Sequence, residues 1–189
     1  MENPGRVSGR RVYTGRVLNL DIDSVRFPDG SQGELEIIHH SGASAVVPLL
    51  DDPSHPDPRI VLIRQYRYAA DGYLYEIPAG RLDSGESPLL CAQRELEEET
   101  GYRAMQMKPL VTVFTTPGFT DERIHLFLAW DLTSGQEQRE RDEFLTSIAL
   151  PRSHVMQMIE RGEICDAKTT VALLYAAAFP GNPKTRAPL

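Results

Sequence analysis

The chain has 189 residues, of which 41% are hydrophobic and 25% are charged, and its formal net charge is −7. These values predict one globular domain with a buried core and room for a small additional segment. The sequence has no run of about 18 apolar residues, which excludes a transmembrane helix. Residues 1–6 lack the apolar stretch of a signal peptide, so a cytoplasmic protein is expected. The acidic balance argues against a surface built to bind nucleic acid.

Two cysteines, Cys91 and Cys165, lie far apart and lack the spacing of a metal site. A disulfide framework or a zinc site is therefore not indicated. We expect both side chains to be buried as small apolar residues.

The N-terminal 42 residues are predicted to form a β segment. Residues 28–31, between its last two strands, are of the types typical of a hairpin turn. Few strongly apolar side chains occur here, so the segment buries little by itself and is expected to pack on the main domain or on a second subunit. The predicted strands span residues 11–14, 17–27 and 33–40.

Strands and helices then alternate along the remaining chain. Ser87, Pro88 and Gly101 predict the N-cap, first position and end of a helix over residues 88–100. Further helices are expected at 152–161 and 167–179, and the periodicity of the last one predicts a core-facing set: Val171, Leu174, Tyr175 and Ala178. Strands are predicted at residues 43–50, 60–65, 73–77, 110–115, 124–130 and 147–150, with polar loops at 51–59 and 135–143 and a flexible tail at 181–189.

The helix over residues 88–100 places Glu95, Glu98 and Glu99 on one face. Like charges at this spacing destabilise a bare helix, and a hard divalent cation would relieve the repulsion. An isolated run of glutamates is usually a solvated surface, but here a glycine-rich loop precedes it. Arg94 is expected to pair with Glu86 and to hold this loop against the helix.

The segment over residues 80–102 matches the pattern Gly-x5-Glu-x7-Arg-Glu-apolar-x-Glu-Glu-x-Gly-apolar at every defined position. This pattern is the Nudix box, and the chain therefore resembles the Nudix hydrolases, which use a metal to cleave a nucleoside diphosphate linked to another group. The resemblance implies an α/β/α sandwich with a mixed sheet over residues 43–180, in addition to the N-terminal antiparallel β segment, 1–42.

The resemblance also implies a metal site. Glu95, Glu98, Glu99 and the Ala79 carbonyl would bind Mg²⁺, with Mn²⁺ as an alternative, because both cations prefer oxygen ligands. Glu98 and Arg94 would in addition act in catalysis. Metal ions at a pyrophosphate neutralise its charge and activate water for in-line attack.

Residues outside the box resemble the ADP-ribose pyrophosphatase branch of this family. Pro117, within residues 116–122, resembles the marker of that branch. Residues 64–67 and 75–80 are similar to the same branch. By this resemblance Arg67 contacts a substrate phosphate, which suits a guanidinium fork, although a surface strand arginine is the alternative. The substrate-binding residues implied in this way are Arg67, Arg64, Glu76, Pro117, Gly118 and Glu36.

In that branch the N-terminal strands exchange between two subunits and help to hold adenine. Glu36 would then be an adenine contact, although a strand glutamate can equally be solvated. Several relatives have a basic residue shortly after this position, whereas the chain has His39 and His40, which puts contacts from this stretch in doubt. Neither histidine is expected to bind the metal, because its site is rich in oxygen ligands.

The general base is expected on the loop before the last strand. Glu143 matches the position of the glutamate that deprotonates water in this branch, and Glu140 is the competing candidate. A solvated loop carboxylate is the alternative for both residues.

The sequence thus predicts a homodimeric, Mg²⁺-dependent hydrolase that converts ADP-ribose and water to AMP and ribose 5-phosphate. Another nucleoside diphosphate sugar, such as GDP-mannose, is the alternative substrate, and the Pro117 segment argues against nucleoside triphosphates. A non-catalytic nucleotide-sugar sensor would be expected to lack box carboxylates, and all three are present. A purely structural dimer would leave the acidic helix face unexplained.

Overall fold

The computed structural model describes residues 3–136 and 144–179. They form two compact units. The N-terminal unit is Met1–Gly42 with Phe114–Arg123, and the main unit is Ala43–Val113 with Ile124–Leu189. The first division between the two units falls after Gly42. Residues 114–123, which the sequence analysis assigns to the hydrolase domain, belong to the N-terminal unit.

The N-terminal unit is an antiparallel sheet in the order β1-β2-β3. Its strands are β1 (Gly5–Thr14), β2 (Asn19–Arg26) and β3 (Gln32–His39). The turn between β2 and β3 is the predicted one, with Gly30 at φ 86° and the Phe27 amide donating to the Ser31 carbonyl at 2.8 Å. Strand β1 starts six residues earlier than predicted, and all of its residues are exposed. Its first half has no apolar alternation for a sequence pattern to detect.

Ion pairs align β1 with β2. Arg11 lies opposite Asp21 in the register and donates to its carboxylate. The Arg6 guanidinium lies 2.8 Å from the Asp23 carboxylate. Both aspartates are buried, so β1 is held through charge pairs at its polar positions rather than through apolar packing.

The main unit contains two sheets. A four-stranded sheet has the order β7-β4-β9-β8, with β4 parallel to β9 and antiparallel to β7, and a three-stranded antiparallel sheet has the order β10-β5-β6. The predicted mixed sheet is confirmed. The strands are β4 (Ala43–Pro48), β5 (Arg59–Arg67), β6 (Gly72–Glu76), β7 (Ala79–Arg81), β8 (Tyr102–Phe114), β9 (Arg123–Ser134) and β10 (Leu145–Pro151), and a 3-10 helix, Tyr68–Ala70, joins β5 to β6.

Helices cover both faces of the four-stranded sheet. The helices are α1 (Pro88–Thr100), α2 (Arg152–Glu160) and α3 (Ala167–Ala178). In β4, Val46 packs with Leu96 of α1, whereas Ala45 and Val47 belong to the core cluster that contains Val155 of α2 and Leu173 of α3. Alternate residues of a strand point to opposite faces, so the main unit has the predicted three layers. None of the helices in the described residues is long and apolar enough to cross a membrane.

Strand β8 is longer than the predicted 110–115, because it begins at Tyr102 directly after the Gly101 cap. Its side chains are exposed or partly buried throughout. The strand, which contains Pro109, lies at the edge of the sheet, and edge strands are where proline is tolerated.

The predicted core face of α3 is wrong. Val171 and Leu174 are 39% and 43% exposed, and the helix instead buries Thr169, Ala172 and Leu173. Helix α3 is apolar around most of its circumference, so its periodicity does not select a face. The Thr169 hydroxyl, which accepts from the Ile77 amide at 3.0 Å, fixes the rotation of the helix.

The two cysteines differ in burial. Cys91 is buried, as predicted, and burial raises the pKa of its thiol to about 11. Cys165 is exposed, so the prediction is wrong for this residue. It directly precedes the N-cap of α3, Asp166, where the chain turns at the surface.

Candidate active site

Helix α1 forms as the sequence predicts and presents the box carboxylates. The Ser87 side chain accepts from the Leu90 amide, Pro88 begins the helix, and Gly101 ends it at φ 71°. Glu95 and Glu99 are 8% and 1% exposed, whereas the Glu98 side chain is 34% exposed. Two carboxylates are therefore withdrawn from water, and such groups need a positive partner.

Arg94 is the positive partner of three box glutamates. It donates to both carboxylate oxygens of Glu86 at 3.0 Å, which is the predicted loop-to-helix pair. Its Nη1 also donates to Glu95 Oε1 at 2.7 Å and to Glu98 Oε2 at 3.0 Å. The Arg94 hydrogen bonds lower the pKa of the Glu86 carboxyl to about 2. Glu86 and Arg94 are thus both charged at neutral pH.

Strand β7 brings backbone close to these carboxylates. The Ala79 amide donates to Glu99 Oε2 at 3.0 Å. At Gly80 a Cβ atom would collide with the Glu95 carboxylate, so only glycine lets this carboxylate lie against the strand. The predicted ligand carbonyl, that of Ala79, belongs to the same short segment.

The donor set fits a hard divalent cation. Three carboxylates on one helix face and a nearby backbone carbonyl are the oxygen ligands that Mg²⁺ and Mn²⁺ prefer. Glu95, Glu98, Glu99 and Ala79 would hold the ion. In this structure Arg94 supplies the positive charge next to the Glu95 and Glu98 carboxylates.

Arg67 and Glu76 lie together in the main unit. Arg67 Nε and Nη2 donate to the two Glu76 carboxylate oxygens at 2.8 and 2.9 Å. Burial raises the pKa of the Glu76 carboxyl, but hydrogen bonds from Arg67 and the charge of Lys168 outweigh this effect and hold it below its usual value. The Arg67 side chain keeps 41% exposure, so its guanidinium is fixed and still accessible to an anion.

Arg64 lies apart from this pair. Its guanidinium is 4.1 Å from the centre of the Tyr73 ring, a cation–π contact. Tyr73 in turn packs edge-to-face against Tyr66. The structure therefore places Arg64 in an exposed aromatic cluster of β5 and β6, separate from the Glu76 carboxylate.

The remaining predicted substrate residues belong to the N-terminal unit. Glu36 is exposed on β3, opposite Ile22 of β2. Pro117 and Gly118 are exposed in the segment between β8 and β9. The segment is bound to the end of β3, because the Ile38 amide donates to the Phe119 carbonyl at 2.8 Å.

His39 joins the same segment to the sheet. Its Nδ1 lies 2.6 Å from Asp121 Oδ2, and its Nε2 lies 3.2 Å from Asp23 Oδ2. The hydrogen bond with Asp121 outweighs partial burial and raises the pKa of His39 above its usual value. His39 and His40 both make tertiary contacts, since the His40 amide also donates to Asp121 Oδ1 at 2.8 Å.

Within residues 3–136 and 144–179, one group of three potential ligands has its atoms within 4.8 Å of one another, namely Asp21, Asp23 and His39. It is not the group on α1 that the sequence predicts. Arg6 and Arg11 already pair with its two aspartates. The contacts therefore describe an ion-pair cluster between strands.

The predicted base, Glu143, and its competitor, Glu140, lie outside the described residues. The sequence analysis also missed Lys168, which donates to Glu76, and Asp166, which caps α3. Asp166 has an N-cap signature at the start of a helical pattern. No local pattern marks Lys168, because its partner is 92 residues away.

Comparison with known proteins agrees with this geometry. A family model described as the NUDIX domain matches residues 40–172, and the chain belongs to this family. An ADP-ribose pyrophosphatase of Bacillus subtilis (strain 168) is 36% identical over 171 residues, which cover 89% of this chain and 90% of the relative. A methanol dehydrogenase activator of Bacillus methanolicus is 39% identical, with the same coverage. A crystal structure of an ADP compounds hydrolase covers 95% of both chains with a TM-score of 0.80 and 24% identity, and it supports the fold.

Proposed function

We propose that the protein hydrolyses the diphosphate bond of ADP-ribose, giving AMP and ribose 5-phosphate. The observation that carries the proposal is the complete carboxylate set of α1, packed against a glycine that leaves room for it. The similarity to an ADP-ribose pyrophosphatase over nearly the whole chain supports the choice of substrate.

In the proposed reaction, water attacks one phosphorus atom and the bond from that phosphorus to the bridging oxygen breaks. When bound, Mg²⁺ would offset the negative charge of the diphosphate and activate the water. Glu95, Glu98, Glu99 and the Ala79 carbonyl would hold the cation, and Mn²⁺ suits the same oxygen ligands. Arg94 would keep Glu86 and the box loop in place while its other contacts adjust.

Arg67 is the proposed phosphate-binding residue, because a guanidinium fixed by Glu76 is oriented before an anion arrives. We assign Glu143 as the acceptor of the proton from the attacking water, with Glu140 as the competitor. Glu36 would bind adenine, contributed by the partner subunit of a homodimer that exchanges residues 1–42. Pro117 and Gly118 would be further substrate contacts. Arg64, whose guanidinium lies over the Tyr73 ring, would also contact the substrate.

The test is product analysis by chromatography of the purified protein with ADP-ribose, with Mg²⁺ and with excess chelator. Metal-dependent AMP and ribose 5-phosphate, formed faster from ADP-ribose than from GDP-mannose or a deoxynucleoside triphosphate, is the expected result. Faster turnover of GDP-mannose would replace the substrate and keep the mechanism. Tight binding of ADP-ribose without turnover of any compound would indicate a sensor.

A further inference from the structure

Lys168 shares a buried carboxylate with Arg67. Glu76 is 1% exposed, and its Oε2 accepts from Arg67 Nη2 and from Lys168 Nζ. Its Oε1 accepts from Arg67 Nε at 2.8 Å. Both oxygens of the Glu76 carboxylate therefore accept from cations, and Arg67 and Lys168 together fix the orientation of the carboxylate.

The position of Lys168 is itself fixed. Its Nζ lies 3.0 Å from Asp166 Oδ2, and the same oxygen accepts from the amide and the hydroxyl of Thr169. The Thr169 hydroxyl also accepts from the Ile77 amide at 3.0 Å. The first turn of α3 is thus bound to the end of β6 at two successive residues, Glu76 and Ile77.

We propose that Lys168 is a positioning residue that orients the Arg67 guanidinium through Glu76, an inference that rests on the proposed function. The Lys168 side chain is only 13% exposed, and its ammonium contacts two carboxylates. Arg67, by contrast, is 41% exposed. Arg67 therefore meets the substrate, and Lys168 acts by keeping Glu76 from rotating away from it.

The first variant is Lys168→Met. Without the ammonium, Glu76 keeps one cation and gains freedom to rotate, so the Arg67 fork loses its fixed orientation. We expect KM for ADP-ribose to rise about tenfold with kcat changed by less than about threefold, since Arg67 binds ground state and transition state alike. Lys168→Arg, which keeps a cationic donor, should restore KM to within about threefold of wild type. Arg161→Met removes one positive charge at the end of α2, where the side chain is 65% exposed and pairs with Glu163, and it is the control with unchanged kinetics.

A double-mutant cycle separates positioning from direct contact. In an Arg67→Met background, Lys168→Met should no longer change KM, because no guanidinium remains to be oriented. An equal rise in KM in both backgrounds would show that Lys168 acts without Arg67 and would overturn the inference. Thermal unfolding is measured for every variant, and Lys168→Gln replaces Lys168→Met in the cycle if the methionine variant does not fold.

Wild-type turnover of ADP-ribose is measured first. Its absence would refute the proposed function, and this inference with it. Turnover by the wild type together with an additive cycle would refute only the role of Lys168.

Discussion

Arg94 donates from one guanidinium to Glu86, Glu95 and Glu98. The like charges of α1 are therefore balanced within the protein itself. Breaking such a partly buried network by removing one partner generally costs several kcal/mol, because the remaining charges lose their compensation. Arg94, a proposed catalytic residue, thus also stabilises the helix that carries the proposed metal ligands.

Gly80 lies where any larger residue would displace Glu95. We predict that Gly80→Ala lowers kcat by about 10²-fold, because a shift of about 1 Å in a catalytic group has an effect of this size. Steady-state kinetics at saturating Mg²⁺, with the free energy of unfolding measured in urea, would check this.

Gly72 provides the matched control on β6. A Cβ atom there meets no atom within 4 Å, so Gly72→Ala should leave kcat unchanged. Normal turnover by Gly80→Ala would show that activity does not require the Glu95 carboxylate in the position that it has in this structure.

Glu143 is the second residue whose role can be tested directly. If it takes the proton from the attacking water, Glu143→Gln should lower kcat by about 10²-fold or more while KM changes little. Glu140→Gln is the parallel variant, and the larger loss identifies the base. Near-normal rates in both variants would exclude these two residues as the base.

At the level of elements, the sequence predicts best where local chemistry decides the structure. The limits of α1 follow from Ser87, Pro88 and Gly101, and these three act within one turn of the helix ends. The box residues are likewise local, so their common face could be derived from helical spacing alone.

Tertiary contacts decide the features that the sequence analysis misses. The buried face of α3 depends on the bond between Thr169 and Ile77, across 92 residues. The extent of β1 depends on ion pairs between its arginines and the aspartates of β2. The sequence around Arg67 and Glu76 likewise does not indicate that Lys168 contacts Glu76. Periodicity contains no information about such partners.

The link between β3 and the Pro117 segment should depend on pH. Because Asp121 raises the pKa of His39, the protonated ring is favoured in the folded protein. The contribution of the protonated His39 ring to the free energy of unfolding is therefore complete below about pH 6.5. It is lost as the pH rises through the raised pKa of His39. We predict a fall in the free energy of unfolding over this range, of at most about 1 kcal/mol because the ring is partly solvated.

Urea unfolding at pH 6 and pH 9 would measure this fall. It should be smaller in His39→Gln and unchanged in His154→Gln, whose exposed histidine lies on α2. An NMR titration should give His39 a pKa above the ordinary histidine value of about 6.5. An equal fall in both variants would mean that His39 does not provide the link.

At the scale of the whole molecule, the proposed exchange places residues 1–42 of one subunit at the active site of the other. Co-expression of two variants, each expected to impair a different part of the site, can test this. Glu99→Gln disables the metal site, and Glu36→Gln weakens the proposed adenine contact. With random pairing, half of the dimers are mixed and one of their two sites is intact, so about a quarter of wild-type turnover should return.

Each variant expressed alone provides the control, and sedimentation should show twice the mass of one chain. A mixed sample as inactive as its parents would contradict the exchange. Full activity of Glu36→Gln alone would instead contradict the adenine contact.

The discontinuous N-terminal unit has a consequence for synthesis on the ribosome. Strands β1 to β3 emerge first and can form their hairpins at once, but Asp121, the partner of His39, is translated 82 residues later. At about 5–20 residues per second, the nascent sheet waits several seconds for the segment that completes it. During this interval Ile38 and His39, at the end of β3, lack the Phe119 and Asp121 partners that they have in the complete chain.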